Sequence, residues 1–193
     1  MLPNLHSTIL MDSTLNSITK LFRYYKSLGE RSFAQLSDAE LAWRPNDHTN
    51  SISLLVHHIS GNMISRFTDF QKSDGEKSWR NRDAEFEEAY PNREAMMAAW
   101  EKGWKVLFEA LKLLTSGNLE EVVYIRNEGH TIVEALQRQL AHYASHIGQI
   151  ILLAKIQKGE DWNTLSIPKG GSDGFNKEKF ATEKGIRHFL EGQ

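Results

Sequence analysis

The sequence predicts an all-α protein, specifically a four-helix bundle. Three observations predict this fold: four long stretches repeat apolar residues at helical intervals, turn-rich segments separate them, and one connection is unusually long. The chain has 193 residues, which suffices for one domain with a sizeable core. We expect a single domain over residues 1–193, with the bundle at about 5–158 and an irregular tail at about 159–193.

The first predicted helix covers about Leu5 to Leu36. Gly29, near its end, indicates either a break or a close packing contact. A turn follows at 43–48, because Pro45 cannot continue a helix and disfavours helical geometry at Arg44. The apolar residues of this helix recur every three or four positions, as one buried face requires: Ile9, Leu15, Ile18, Leu21, Phe22, Tyr25 and Leu28.

The second predicted helix begins near Asn50 or Ser51, which are both good N-caps, and runs to about Gln71. The following segment, Ser73 to Glu94, is polar, turn-rich and long for a connection inside a bundle. Because long structured loops are often functional, this segment is a candidate part of a site. The core residues of the helix are Ile52, Leu55, Val56, Ile59, Met63, Phe67 and Phe70.

The third predicted helix runs from about Asn92 to Leu114. The alternation in VVYIR, between Ser116 and Gly129, then indicates a short extended stretch. Thr131 and Glu134 form a capping-box pattern at the start of the fourth helix, which Gly159 ends. The inward residues of the third helix are Met96, Trp100, Trp104, Leu107, Phe108 and Leu111.

The composition excludes several classes of function. The formal net charge of -2 gives no global positive field for nucleic acid or anionic lipid. The chain has no cysteine, so disulfides, cysteine–zinc sites and a catalytic thiol of its own are excluded. The N-terminus does not resemble a signal peptide, and the longest apolar run, Ile150 to Ala154, is too short for a membrane span. We therefore expect a cytoplasmic protein with no nucleic-acid or membrane partner.

His142 and His146 lie four residues apart in the fourth helix, which brings their rings to within about 40° on one face. An unpaired polar group on a buried face costs about 1–3 kcal/mol, so these imidazoles need partners. A shared divalent metal would meet this need; the alternative is that each ring bonds a core hydroxyl or carbonyl. Their face is otherwise mostly apolar and carries Ile132, Ala135, Gln139, Ile150 and Leu153.

The second helix offers a third histidine, because His57 and His58 occur there together. His58 lies on the flank of the apolar stripe and His57 points further outward, so we expect His58 to be the ligand and His57 to be solvated. Three imidazoles with an open position are typical of catalytic zinc sites, whereas structural sites usually have four protein ligands. The same ligands suit nickel or ferrous iron, so the metal could be any of the three.

Other polar residues could face the same cavity. Asn62 and Arg66 follow His58 by one and two turns, although a surface position is equally compatible with the spacing. Gln139 lies one turn before His142 and could orient an imidazole or a water molecule. These three residues are our candidates for catalytic roles. We expect the histidines at positions 6, 48 and 188 to be exposed.

Two arginines of the long loop are candidates for binding a substrate or a thiol. The segment from Trp79 to Asp83 contains Arg80 and Arg82, and their two guanidinium groups could clamp a carboxylate. The alternative is a solvated charge cluster, which is what most charge runs are.

The histidine of LLVHHISGNM and the pair of HYASHIGQI resemble the DinB-like (YfiT-like) superfamily of metal-binding four-helix bundles. The segments SGNMISRFTDFQKSDGEKSWRNRDAEF, YIRNEGHTIVEALQRQLAHYASHIGQI and LSIPKG are similar to a bacterial subfamily of unknown function, over about Ser17 to Asn176. The resemblance implies that His58, His142 and His146 bind a divalent metal. Members of the superfamily are often dimers, so it also implies a homodimer. Some members transfer a low-molecular-weight thiol onto an electrophile, and the resemblance implies this activity for the chain.

Our leading hypothesis is a metal-dependent enzyme that transfers a small cellular thiol onto an electrophile, because a metal converts a thiol into a thiolate at neutral pH. A metal-dependent hydrolase is the enzymatic alternative, since a metal also lowers the pKa of water to about 7. No carboxylate base occurs at helical spacing from the ligands, which disfavours hydrolysis. The third hypothesis is a non-enzymatic, metal-stabilised stress or interaction protein.

Overall fold

The computed structural model describes residues 5–87 and 90–190, with side chains from residue 13 onward. The described part is mostly helical, as predicted, and also contains one small antiparallel sheet. Its elements are α1 (Leu5–Phe33), α2 (Asp38–Ala42), α3 (Ile52–Phe67), α4 (Arg93–Lys112), β1 (Val122–Ile125), β2 (Glu128–Thr131), α5 (Ile132–Lys158) and α6 (Ser172–Phe180). Short 3-10 turns lie at Ala84–Phe86 and Gly159–Asp161.

Three of the four long helices, α3, α4 and α5, begin where their capping residues predict. The Ser51 hydroxyl accepts a hydrogen bond from the Leu54 amide at 3.2 Å and starts α3. The Asn92 side chain caps α4 in the same way. At α5 the capping box is complete: Thr131 Oγ1 accepts from the Glu134 amide at 3.2 Å, and Glu134 Oε2 accepts from the Thr131 amide at 2.8 Å. These caps satisfy amides that the first turn of a helix leaves unpaired.

Two helices end at least three residues earlier than predicted. Helix α1 stops at Phe33 instead of Leu36, and α3 stops at Phe67 instead of Gln71. Just after α3, Asp69 adopts a left-handed backbone conformation with φ of 48°, which a right-handed helix cannot contain. Apolar periodicity continued through this point, so it could not predict the end.

Three elements were missing from the sequence prediction. Helix α2 has five residues, which are too few to show periodicity, although Ser37 and Glu40 form a capping box at its start. The predicted extended stretch pairs with a second strand through a turn at Arg126 and Asn127, which both have positive φ. The tail was predicted to be irregular, and this is wrong for α6, whose residues are largely exposed and show no apolar stripe.

The core is centred on aromatic side chains from α1, α4 and α5. Trp100 and Trp104 pack edge-on with ring centroids 5.4 Å apart, and Phe22 and Tyr143 close around Trp104. A Cβ at Gly29 would lie 2.8 Å from Trp100, so this glycine marks a close packing contact and not a break. Helix α3 packs against α4 and α5, and α1 packs against α5. None of the helices in the described ranges is long and apolar enough to cross a membrane.

Candidate metal centre

Helices α3 and α5 bring three imidazole rings together. His58 lies in the middle of α3, and His142 and His146 lie one turn apart on α5. The Nε2 atom of His142 is 3.2 Å from Nε2 of His58 and 3.0 Å from Nε2 of His146. All three candidate ligand atoms lie within 4.8 Å of one another. These three histidines could therefore hold a metal ion.

The neighbouring histidine has a different environment. The ring of His57 lies against Tyr90, with centroids 4.9 Å apart, and it does not belong to the group of three. Its side chain is half-buried, so the prediction that it is solvated is only partly correct. His58 is almost completely buried. Of the two adjacent histidines, His58 is the one that belongs to the group of three.

Burial keeps the α5 imidazoles in the form that binds metal. It lowers the pKa of His142 to about 3, and the neighbouring His146 and His58 act in the same direction. Burial and the proximity of His58 also lower the pKa of His146, against a smaller opposite effect of Gln149. Both rings are therefore neutral at pH 7, and a neutral imidazole is the form that coordinates a metal.

Glu85, which the sequence analysis missed, fixes the orientation of the third imidazole. Its Oε2 atom lies 2.9 Å from Nδ1 of His58, and Arg80 donates to both carboxylate oxygens at 2.8 Å. Burial would raise the pKa of Glu85, but the hydrogen bonds from His58 and Arg80 outweigh it and hold this pKa below its usual value. An ionised carboxylate only accepts, so the Nδ1 atom of His58 must donate. In the neutral ring, Nε2 then carries a free lone pair toward the other histidines.

A glycine makes room for this carboxylate. Glu85 belongs to the 3-10 turn of the long loop, and it packs against Gly61 of α3. A Cβ at Gly61 would lie 2.3 Å from Oε1 of Glu85, so any side chain there would force this carboxylate to move. The next residue, Phe86, covers the ring of His58 at 4.5 Å between centroids. The sequence signal for this contact is a glycine in the middle of a helix, which indicates close approach but does not name the partner.

The three predicted catalytic residues are buried and line one cavity of about 240 Å³ beside the histidines. Asn62 and Arg66 therefore face the interior, and the surface alternative for them is wrong. The Asn62 side-chain oxygen accepts a hydrogen bond from the Tyr143 hydroxyl at 2.9 Å, and Arg66 pairs with Glu76 at 3.0 Å. Gln139 has a buried Oε1 atom without a hydrogen-bond partner among the described residues. Catalytic roles for these residues stay predictions.

The two loop arginines occupy different environments. The Arg80 side chain is only 2% exposed and binds Glu85 and, at 3.4 Å, Glu76. Its guanidinium group thus clamps carboxylates of the protein itself, and a solvated charge cluster does not describe it. Arg82 is half-exposed, lies over the ring of Phe86 at 5.0 Å and lines the cavity. Binding of a substrate or thiol by these arginines stays a prediction.

The remaining histidines lie outside the group of three. His48 is exposed, as predicted, whereas His188 is half-buried with its Nε2 atom 3.5 Å from a serine hydroxyl of α1. The prediction for His6 concerns a side chain that lies outside the part of the chain described in atomic detail. His130 accepts a hydrogen bond from Arg138 at 3.1 Å, and Arg138 lines the cavity.

We expect the purified protein to bind about one divalent ion per chain, held by the three converging imidazoles. Replacement of His58, His142 or His146 by alanine removes one of three ligands and should abolish most of the bound metal, measured by elemental analysis. The matched control is His57→Ala, which should leave metal content nearly unchanged. Equal loss in His57→Ala, together with retention in His58→Ala, would reverse the ligand assignment.

Glu85→Gln should weaken metal binding roughly 10- to 100-fold. The substitution removes the negative charge that orients His58 and makes its Nε2 atom a stronger metal ligand. Competition with a chelator measures this affinity. Glu87→Gln provides the control, since it makes the same chemical change two residues away at an exposed position. Unchanged affinity in Glu85→Gln, with a normal circular dichroism spectrum, would show that the carboxylate does not support the site.

Comparison with known proteins identifies the family of the chain. A family model described as a protein of unknown function (DUF1572) matches residues 10–171, a range that includes all three histidines and Glu85. Neither the curated proteins nor the solved structures give a significant match. The family match covers far more than half of the chain. The chain therefore belongs to the DUF1572 family of proteins of unknown function.

Proposed function

We propose that the protein is a metal-dependent enzyme that transfers a small cellular thiol onto an electrophile. The observation that carries this proposal is the convergence of three imidazole nitrogens beside a cavity. Three protein ligands leave a position for an external molecule, whereas a structural site is usually closed by a fourth protein ligand. The resemblance to the DinB-like superfamily supports the same chemistry, and we infer that the four long helices form the bundle of that superfamily.

The donor set fits a divalent cation. Within the described chain, the only residues grouped as candidate ligands around this point are the three histidines. In the neutral form of His58 the Nε2 atom carries a lone pair, and a single proton on Nε2 of His142 could be donated to only one of its two neighbouring Nε2 atoms. A cation satisfies them all at once. Nitrogen ligands of this kind suit zinc or nickel, and iron is also compatible.

The residues around the histidines would prepare two reactants. A divalent cation bound by the three imidazoles would lower the pKa of a thiol, so that its sulfur is a thiolate at neutral pH. The thiol comes from outside, because the chain has no cysteine. Its sulfur forms a bond to the electrophilic carbon, the leaving group departs with the bonding electrons, and the thiol proton goes to solvent. Asn62 and Gln139 offer amide groups in the cavity that can orient either reactant.

A metal-dependent hydrolase is the alternative enzyme, because the same cation lowers the pKa of water. Metal hydrolases of the zinc-protease type use a nearby carboxylate as general base. Here Glu85 is hydrogen-bonded to His58 and Arg80, and Glu76 is shared by three arginines. Both carboxylates are already paired, which favours thiol transfer over hydrolysis. A non-enzymatic, metal-stabilised protein is the remaining alternative and predicts no turnover.

The metal-loaded protein should form a thiol conjugate when it is mixed with a cellular thiol and an alkylating electrophile such as monochlorobimane. Several thiols are screened, and the product is identified by mass spectrometry. Chelation should abolish the reaction and added metal should restore it, while the helical circular dichroism signal stays native-like. This retention is expected because the aromatic core is built by the helices themselves, so metal contributes only its linkage free energy.

The variants His142→Ala and His57→Ala serve as the inactive and the active control. Collapse of the helical signal on chelation would contradict the catalytic interpretation, since a structural metal is required for folding. The absence of turnover with every thiol tested, in protein shown to contain metal, would favour the non-enzymatic alternative.

We further propose that the protein is a homodimer that buries part of α5. Leu152 and Ile156 are 59% and 56% exposed one turn apart on this helix, and a contact between two copies would cover them. Light scattering should give about twice the chain mass of 22.1 kDa. Leu152→Glu should shift the protein toward the monomer, whereas Leu113→Glu, at an exposed leucine after α4, should not. A monomer at micromolar concentration in the unmodified protein would contradict this.

A further inference from the structure

The cavity beside the three histidines is lined mainly by cationic side chains. Its volume is about 240 Å³, and five of its nine lining residues are arginines: Arg66, Arg80, Arg82, Arg126 and Arg138. The other four are two histidines and two amides, so no carboxylate lines it. Guanidinium groups stay protonated in proteins, and such a concentration of like charge is costly unless anions compensate it.

The protein compensates the two inner arginines itself. Arg80 makes a two-point ion pair with Glu85 at 2.8 Å, and Arg66 pairs with Glu76 at 3.0 Å. Both guanidinium groups are buried, and neither carboxylate partner is among the residues that line the cavity. The inner pair therefore belongs to the architecture of the site.

The three outer arginines are compensated far less. Arg126 lies 3.1 Å from Glu76, but it reaches the same carboxylate oxygen that Arg66 and Arg80 approach. Arg82 has only Asp83, at 4.0 Å and almost fully exposed to solvent. Arg138 donates to Nε2 of His130, and no carboxylate of the described chain forms an ion pair with it. The five arginines form ion pairs with three carboxylates, Glu76, Glu85 and Asp83, so they outnumber their paired carboxylates by two.

The outer arginines are held in place by other contacts, although Arg82 and Arg126 are 50% and 56% exposed. Arg82 lies over the ring of Phe86, and Arg138 is bonded to His130. Arg126 is in the turn of the hairpin, where its amide donates to Asp74 of the long loop at 2.8 Å. Three separate elements thus present guanidinium groups to one opening. Preorganised groups bind ligands more tightly because less conformational entropy is lost.

Two buried polar atoms of the cavity lining also lack partners. Oε1 of Gln139 and Nε of Arg66 make no hydrogen bond with any described residue. Gln139 is only 4% exposed, and both residues line the cavity. A buried acceptor and a buried donor without partners cost free energy that a bound polar molecule would recover.

We propose that this cavity binds a small molecule with at least two anionic groups, carboxylate or phosphate, through Arg82, Arg126 and Arg138. The planar guanidinium group matches both anions with paired hydrogen bonds. The volume lies below the roughly 300–1,000 Å³ of pockets for drug-sized ligands, so the molecule is of metabolite size. That this molecule is a reactant rests on the proposed function. The molecule would be the thiol or the electrophile of the transfer reaction, bound with its reactive end toward the histidines.

Calorimetric titration of the purified full-length chain, in the metal state in which it is isolated, tests this directly. The probes are tricarballylate, pyrophosphate and, as a monoanion that can also ligate a metal, acetate. We expect a polyanion to bind roughly tenfold or more tightly than acetate, and added salt to weaken it. Arg82→Gln and Arg138→Gln should each weaken its binding roughly tenfold. Both side chains are at the surface, so the variants should fold normally.

Arg44→Gln is the matched control, because Arg44 is similarly exposed and does not line the cavity. Tighter binding of tricarballylate or of pyrophosphate supports the proposal and identifies the anionic group. Polyanions that bind no more tightly than acetate, or equal weakening in Arg44→Gln, overturn it. Polyanion binding without thiol transfer would contradict the proposed function alone, whereas thiol transfer without polyanion binding would contradict this inference alone.

Discussion

The hydrogen bond between Glu85 and His58 joins the long loop to helix α3 at the point where three histidines meet. It fixes the proton of His58 on Nδ1 and leaves Nε2 free to coordinate. The same carboxylate accepts two hydrogen bonds from Arg80, so it also determines where the loop lies over the cavity. Gly61 permits this arrangement, because any side chain there would displace the carboxylate. One buried anion thus orients both a ligand and the wall of the adjoining site.

Glu76 plays a comparable part on the other side of the cavity. Its carboxylate receives Arg66 from α3, Arg80 from the loop and Arg126 from the hairpin turn. Burial would raise the pKa of Glu76, but these three guanidinium groups lower it below its usual value. A single charge therefore connects three elements that are distant in sequence. Because Glu85 also pairs with Arg80, Glu76 is left to balance Arg66 and Arg126 with a single negative charge.

The parts of the site that sequence reasoning predicted depend on helical periodicity. The spacing of His142 and His146 predicts a shared face, and the apolar stripe of α3 selects His58 over His57. Arg138 precedes His142 by the same interval and could have been included on this basis. Glu85 could not, since it lies 27 residues from His58 in an irregular loop without periodicity. Arg126 depends on a hairpin turn with positive φ at both positions, for which arginine is not a typical residue.

A metal ion at the three histidines and an anion in the neighbouring cavity would be electrostatically coupled. A divalent cation among the three histidines adds positive charge next to guanidinium groups that already exceed their counter-ions. Glu85 bonds both His58 and Arg80, so it would offset part of this repulsion, and the same two partners hold its pKa below its usual value. An anionic molecule in the cavity reduces the remaining repulsion, so it stabilises the bound cation. By linkage, the cation must strengthen binding of the anion by the same factor. The direct attraction between the two opposite charges would therefore make the proposed metal and the proposed anion bind cooperatively.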